Sequence, residues 1–136
     1  MNFTVWTNEM GVGVVALDDD HKKLIGIINQ LHFEMEEGHD KKVLGAVLDQ
    51  LVDYSKSHFA REESLLFQAD YPDAPGHKME HERFIREITA LRERFSNAPP
   101  ATLDAELMGF LRNWLDTHVE GADKKYGPFL TARGIK

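Results

Sequence analysis

KKVLGAVLDQLVDYSKSHFAREESLLF, residues 41–67, is the stretch that decides the fold. Leu44, Val47, Leu48, Leu51 and Tyr54 recur at steps of three and four, the period of one buried helical face, and Leu65 and Leu66 extend the stripe. At ~1.5 Å per residue this helix is ~40 Å long. The same stripe carries His58, seven residues beyond Leu51 and four beyond Tyr54, and Glu62 one turn further on. A long apolar face that ends in an inward imidazole and an inward carboxylate needs both a core and something to neutralise the acid, because an uncompensated buried charge is costly.

Working outward, the punctuation is clear on both sides. Gly38 closes an earlier segment, Tyr71-Pro72-Asp73-Ala74-Pro75-Gly76 separates a third, and Ser96-Asn97-Ala98-Pro99-Pro100 separates a fourth. The pattern predicts helices over about 19–37, 41–67, 76–95 and 102–120, behind an arm of about 1–17. Asp18, Asp19 and Asp20 read as acids that cap the first helix, whose apolar residues are Leu24, Ile25, Ile28, Leu31 and Met35. Phe84, Ile85, Ile88, Leu91 and Phe95 form the stripe of the third helix. Thr102 reads as the cap of the fourth, before Leu103, Leu107, Phe110, Leu111, Trp114 and Leu115. Long helices joined by short connections lie antiparallel, so the expectation is all-α, one domain over 1–136, an up-down-up-down antiparallel four-helix bundle. In the arm, Trp6, Val12, Val14, Val15 and Leu17 alternate like a strand, but the arm holds two glycines and no strand partner is evident. An ordered arm with Trp6 against the bundle is expected, since an indole carries large apolar area.

Composition narrows the function. The 136 residues suit one domain, and 42% hydrophobic with 29% charged residues is ordinary for a folded chain. A net charge of −7 with scattered lysines and arginines argues against nucleic acid as a partner. The first residues, MNFTVWTNEM, lack a basic region followed by an apolar run, and no stretch approaches the ~20 apolar residues of a membrane span. A cytoplasmic monomer without membrane attachment is expected. Zero cysteine removes disulfides, thiolate sites and iron–sulfur clusters, so any metal is bound by nitrogen and oxygen.

Five of the seven histidines fall on the buried stripes. His21 leads Leu24, Ile25 and Ile28 by three, four and seven; His77 and His81 precede Phe84, Ile85 and Ile88; His118 follows Leu111 and Trp114 by seven and four. With His58, Glu62 and Asp123 they make seven candidate ligands: His21, His58, Glu62, His77, His81, His118 and Asp123. Five core histidines and two core carboxylates are very hard to satisfy without a cation, and this donor set selects iron, manganese or zinc. The five-residue step from His118 to Asp123 is the irregular one. On an ideal helix it leaves the two about 140° apart. A wide turn or π-bulge is therefore expected there, with Gly121 supplying flexibility. Two six-coordinate ions filled by five histidines, two bridging carboxylates and one bridging oxide or hydroxide keep a single open position, the mark of a reactive centre. Leu24, Phe59, Trp114 and Val119 stand beside ligands in the sequence and are expected to wall that position with apolar surface, on top of their part in the core.

Other motif readings explain less. His77-Lys78-Met79-Glu80-His81 matches the H-x-x-E-H pattern of a zinc protease family with Glu80 as base, but leaves five of the seven ligands without a role. Glu36 and His39 have the Glu-x-x-His spacing of ferritin-like sites but flank Gly38 at a helix end. His32 and His39 read as packing or surface residues.

The spacing resembles the hemerythrin family in its single-domain bacterial form, over essentially the whole chain. The resemblance rests on Asp18-x-x-His21-Lys22-Lys23-Leu24, His58-Phe59-x-x-Glu62-Glu63, His77-x-x-x-His81 and His118-Val119-x-x-x-Asp123-Lys124-Lys125-Tyr126, with Trp6 and Val12-Gly13-Val14 like the family's arm. It implies a non-haem, oxo- or hydroxo-bridged pair of iron ions that binds dioxygen reversibly. One iron would take His77, His81 and His118, the other His21 and His58 with dioxygen adding there, and Glu62 and Asp123 would bridge. The role implied is oxygen storage, delivery or sensing rather than catalysis. The competing classes are a di-iron enzyme acting on peroxide or nitric oxide, for which only Glu63 and Tyr54 present themselves as acids, and a metal-dependent sensor module. Asp20, where bacterial members often carry glutamine, is the one departure and is expected to touch no ligand.

Overall fold

The computed structural model describes residues 4–38, 41–97 and 100–136, with the backbone alone for 41 and 100–104. Helix α1 spans Val15–Glu36, α2 Lys41–Gln68, α3 Ala74–Asn97 and α4 Pro100–Trp114. From Trp114 the chain continues through a π-helical stretch, Leu115–Ala122, into α5, Asp123–Ala132, so that α4, the π stretch and α5 form one rod. The result is an antiparallel four-helix bundle, and no strand occurs among the described residues.

The stripes read from the sequence are the ones that pack. Leu24, Ile25, Ile28 and Leu31 of α1 meet Leu44, Val47, Leu48 and Leu51 of α2, Phe84, Ile88, Leu91 and Phe95 of α3, and Leu107 and Leu111 of α4 in a single buried cluster. Contacts of α1 with α2, α2 with α3, α3 with α4 and α4 with α1 close the bundle. A second, smaller cluster at the other end joins Val12, Val14 and Leu17 to Leu66, Tyr126 and Leu130. Among the described residues, no helix is long and apolar enough to cross a membrane.

The breaks have local causes. Gly38, at φ +69°, takes the left-handed conformation that ends α1, and its N–H reaches Met35 O. Asp70 does the same after α2 at φ 56°, while Tyr71 N donates to Leu66 O. The expected cap Thr102, the stripe residue Leu103 and the exit residue His39 lie outside the described side chains.

Three expected boundaries move, the largest shift being in the fourth helix, which is expected to end near 120 and instead runs on through the π stretch and α5 to Ala132. Helix α1 begins at Val15, not 19, because Leu17 is fully buried and draws the first turn into the core. Asp18 then caps no helix: its Oδ1 accepts the Val12 N–H of the arm. Helix α3 starts at Ala74, ahead of Gly76. The arm is not a strand, but it is ordered. Thr4 N donates to Asn29 Oδ1 and Asn29 Nδ2 to Thr4 O, at 2.9 and 2.7 Å. Trp6 packs on the main cluster under Lys22 Nζ. At its other end the arm presses on α5 so closely that a Cβ on Gly127 would stand 2.4 Å from Val12 O.

Candidate metal centre

Every rod delivers a ligand candidate to one buried point. His21 comes from α1, His58 and Glu62 from α2, His77 and His81 from α3, His118 from the π stretch and Asp123 from the first residue of α5. All seven are between 0% and 3% exposed. The five-residue step is resolved as the spacing requires. Asp123 N–H donates to His118 O, so a single i to i+5 turn joins the two ligand candidates and brings their side chains to the same side. Gly121 is not the cause. Its φ is not positive, and a methyl there would meet only Asp116 O, at an ordinary 3.8 Å.

The carboxylates divide the site in two. Glu62 Oε1 faces His77 Nε2 at 2.5 Å and His81 Nε2 at 3.0 Å, whereas Oε2 faces His58 Nε2 at 3.1 Å and His21 Nε2 at 3.7 Å. Asp123 repeats the division: Oδ1 lies 2.8 Å from His77 Nε2 and 3.0 Å from His118 Nε2, while Oδ2 lies 3.1 Å from His21 Nε2. Two groups result, Glu62, His77, His81, His118 and Asp123 on one side and His21, His58, Glu62 and Asp123 on the other. Both share the two acids.

This donor set fits cations better than it fits itself. His81 Nε2 and His118 Nε2 face one another at 3.1 Å, where two ring N–H groups cannot both point. His21 Nδ1 and Nε2, His118 Nδ1 and Asp123 Oδ1 are buried without a hydrogen bond, although Asp123 Oδ2 lies 3.1 Å from His21 Nε2. Electrostatics says the same. Burial alone would raise Glu62 and Asp123, but the imidazoles around them hold Glu62 well below, and Asp123 below, the usual carboxylate range. Burial alone would lower His21 and His77, but the Asp123 and Glu62 carboxylates set against their rings lift both to about 10. The acids therefore demand positive charge, supplied either by protons on the rings or by metal.

A surrounding layer of acids faces the outer ring nitrogens, bonding to His58 and His81 and standing close to His118. Asp20 Oδ2 accepts from His58 Nδ1 at 3.0 Å, Glu63 Oε2 lies 3.0 Å from His81 Nδ1, and Glu80 Oε2 stands 2.9 Å from His118 Nδ1. Tyr126, fully buried, donates its hydroxyl to Glu62 Oε2 at 3.0 Å. The expectation that Asp20 touches no ligand is thus wrong. It precedes His21 by one residue, so its side chain turns ~100° away from the centre and meets α2. Burial would raise its pKa, but hydrogen bonds from His58 and Tyr54 hold it below the ordinary value. Glu80 faces the outer nitrogen of His118, which removes the protease reading of His77 to His81. His32 pairs with Glu36 at the surface. An acid next to a ligand in sequence was the only signal for Asp20, Glu63 and Glu80.

The four apolar residues expected beside the centre are distributed unevenly. Phe59 stacks on His81 with centroids 3.9 Å apart and Trp114 on His118 at 3.9 Å, both on the three-histidine side, while Phe59 is 5.8 Å from His58. Leu24 and Val119 are buried in the same cluster.

Comparison with known proteins agrees with this arrangement. Residues 12–130 match the family model of the hemerythrin HHE cation binding domain. The chain is 35% identical over 132 residues to the bacteriohemerythrin of Stenotrophomonas maltophilia, covering 97% of this chain and 84% of that one. It is 35% identical over 133 residues to the bacteriohemerythrin of Methylococcus capsulatus, covering 97% and 100%. A solved wild-type hemerythrin superposes with a TM-score of 0.84 at 33% identity, over 94% of this chain and 98% of the other.

Proposed function

This chain belongs to the hemerythrin family, and on that premise we propose that it binds dioxygen reversibly at a non-haem di-iron centre, for oxygen storage, delivery or sensing. His77, His81 and His118 would hold one iron and His21 and His58 the other, with Glu62 and Asp123 bridging. The observation that carries this reading is the division of both buried carboxylates, each with one oxygen toward either histidine group. Five protein donors then serve one position and four the other, so the two-histidine position has more room for an exogenous ligand. Iron bound there would supply the electrons that dioxygen takes up and returns.

The chain's own residues do the rest. Tyr126 holds Glu62 Oε2, and Leu24, Phe59, Trp114 and Val119 keep water and protons from the centre. Binding is favoured over catalysis because both candidate acids are engaged elsewhere, Glu63 on His81 Nδ1 and Tyr54 on Asp20 Oδ1.

The test is optical. Protein loaded with ferrous iron is exposed to air and then purged with argon. A visible charge-transfer band that comes with air and goes with argon is expected. Irreversible browning with release of peroxide refutes the carrier reading.

A further inference from the structure

Three of the five ligand histidines carry an acid on the outer ring nitrogen, and the three acids differ in their surroundings. Glu80, beside His118, is 54% exposed, and Glu63, beside His81, is 20% exposed. Asp20, beside His58, is 6% exposed and holds two further partners through Oδ1: the Tyr54 hydroxyl at 2.9 Å and Arg61 Nη1 at 2.6 Å. Arg61 itself is about half exposed. A surface cation, a buried anion and an inward imidazole thus stand in line.

We propose that Asp20 is a positioning residue that sets how strongly His58 donates to the two-histidine metal position, with Arg61 and Tyr54 as its counterweight. The inference rests on the di-iron reading above. An ionised carboxylate can only accept, so Asp20 fixes the His58 proton on Nδ1 and leaves the Nε2 lone pair aimed at the centre. A carboxylate on the outer nitrogen also makes the imidazole more basic, which favours the ferric over the ferrous ion. Low exposure leaves this interaction less screened than the pairs at His81 and His118. Arg61 and Tyr54 act in the opposite sense. By holding Oδ1 they draw negative charge away from the oxygen that faces His58.

The two arms of this balance have opposite signs, which a purely structural role does not produce. Iron-loaded wild-type protein, Asp20→Asn, Arg61→Met and Tyr54→Phe are compared by iron content and by the midpoint potential of the centre, read spectroelectrochemically under argon. Asp20→Asn is expected to shift the potential upward and to weaken iron retention about 10-fold or more. Arg61→Met and Tyr54→Phe touch no ligand and are expected to keep two irons per chain while shifting the potential downward. Should Asp20→Asn fail to hold iron, those two variants still decide the matter, and Asp20→Glu should restore loading. Upward or absent shifts in both Arg61→Met and Tyr54→Phe overturn the proposal. Wild-type protein that does not hold two irons overturns the underlying reading instead, and the inference with it.

Discussion

The bundle contains two layers that are equally buried and differently satisfied. In one, Leu31, Leu44, Leu48, Ile88, Phe95 and Leu107 pack with 2% exposure or less. In the other, five histidines, Glu62 and Asp123 are just as inaccessible. The same helical stripes run through both. Hydrocarbon needs nothing beyond close contact, so the apolar layer is complete as folded. The polar layer has carboxylates that must find positive charge, so its contribution depends on what occupies it. The fold is anchored in the first layer and made conditional in the second.

The sharpest way to break this contrast is Glu62→Ala, which removes the acid shared by both histidine groups. Iron content is expected to fall below two per chain and unfolding free energy to drop by about 3–5 kcal/mol, as when one partner of a buried charged set is deleted. Full iron occupancy by metal analysis would contradict the bridging role. The iron-free wild type sharpens the same point through pH. The pKa values of His21 and His77 are raised to about 10 when folded against 6.5 for a free imidazole, so their protonation stabilises the fold fully below pH 6.5 and is lost as pH rises toward 10. Melting temperature of the iron-free protein should therefore fall between pH 7 and 10. Iron-loaded protein should change less, because metal replaces those protons, and their release on loading should be detectable with a pH indicator.

Leu48→Ala tests the other layer. Leu48 is 1% exposed and ten residues before His58, ~15 Å along α2. A loss of about 2–5 kcal/mol is expected in denaturant titration. At that separation it should be equal with and without iron, and iron content should stay at the wild-type level. Unequal losses would mean that the layers are not independent. Gly127→Ala acts at the other end of the bundle, since its Cβ would collide with Val12 O while Tyr126 next door holds Glu62. A loss of about 1–3 kcal/mol is expected, with faster proteolysis of the arm as the local readout.

How much of this could be read from the sequence follows the same division. Helical period fixes which side of its own helix a residue faces, so the apolar stripes and six of the seven ligand candidates are accessible from spacing, whereas Asp123, about 140° from His118 on an ideal helix, joins them only through the wide turn. Period says nothing about which neighbouring helix meets the flank of a stripe. For that reason the sequence leaves Asp20 remote from the ligands although it bonds His58. Local signals also lost to burial: three consecutive acids looked like a cap, but Leu17 pulled the helix start back to Val15. Gly121 reads as a source of flexibility, yet the wide turn is held by the i to i+5 bond and needs no positive φ at that glycine.

The smallest expected effect lies on the outer face of the apolar layer, where charge is paired in water. Arg92 grips Asp49 through Nε at 2.7 Å and Nη2 at 3.3 Å, and Asp49 is 58% exposed. The hydrogen bond from Arg92 holds the Asp49 carboxyl below the usual range. A depressed folded pKa contributes stability that is present above the unfolded value of about 3.9 and is lost as pH falls through the folded one. Solvent screening limits that contribution to about 1 kcal/mol or less. Asp49→Asn should therefore cost no more than that at pH 7, cost progressively less as pH falls below about 3.9, and cost less in 1 M salt. A pair of similar geometry is thus worth little where water competes for both partners. Around Glu62 water does not compete, and losing one acid is expected to cost several times as much.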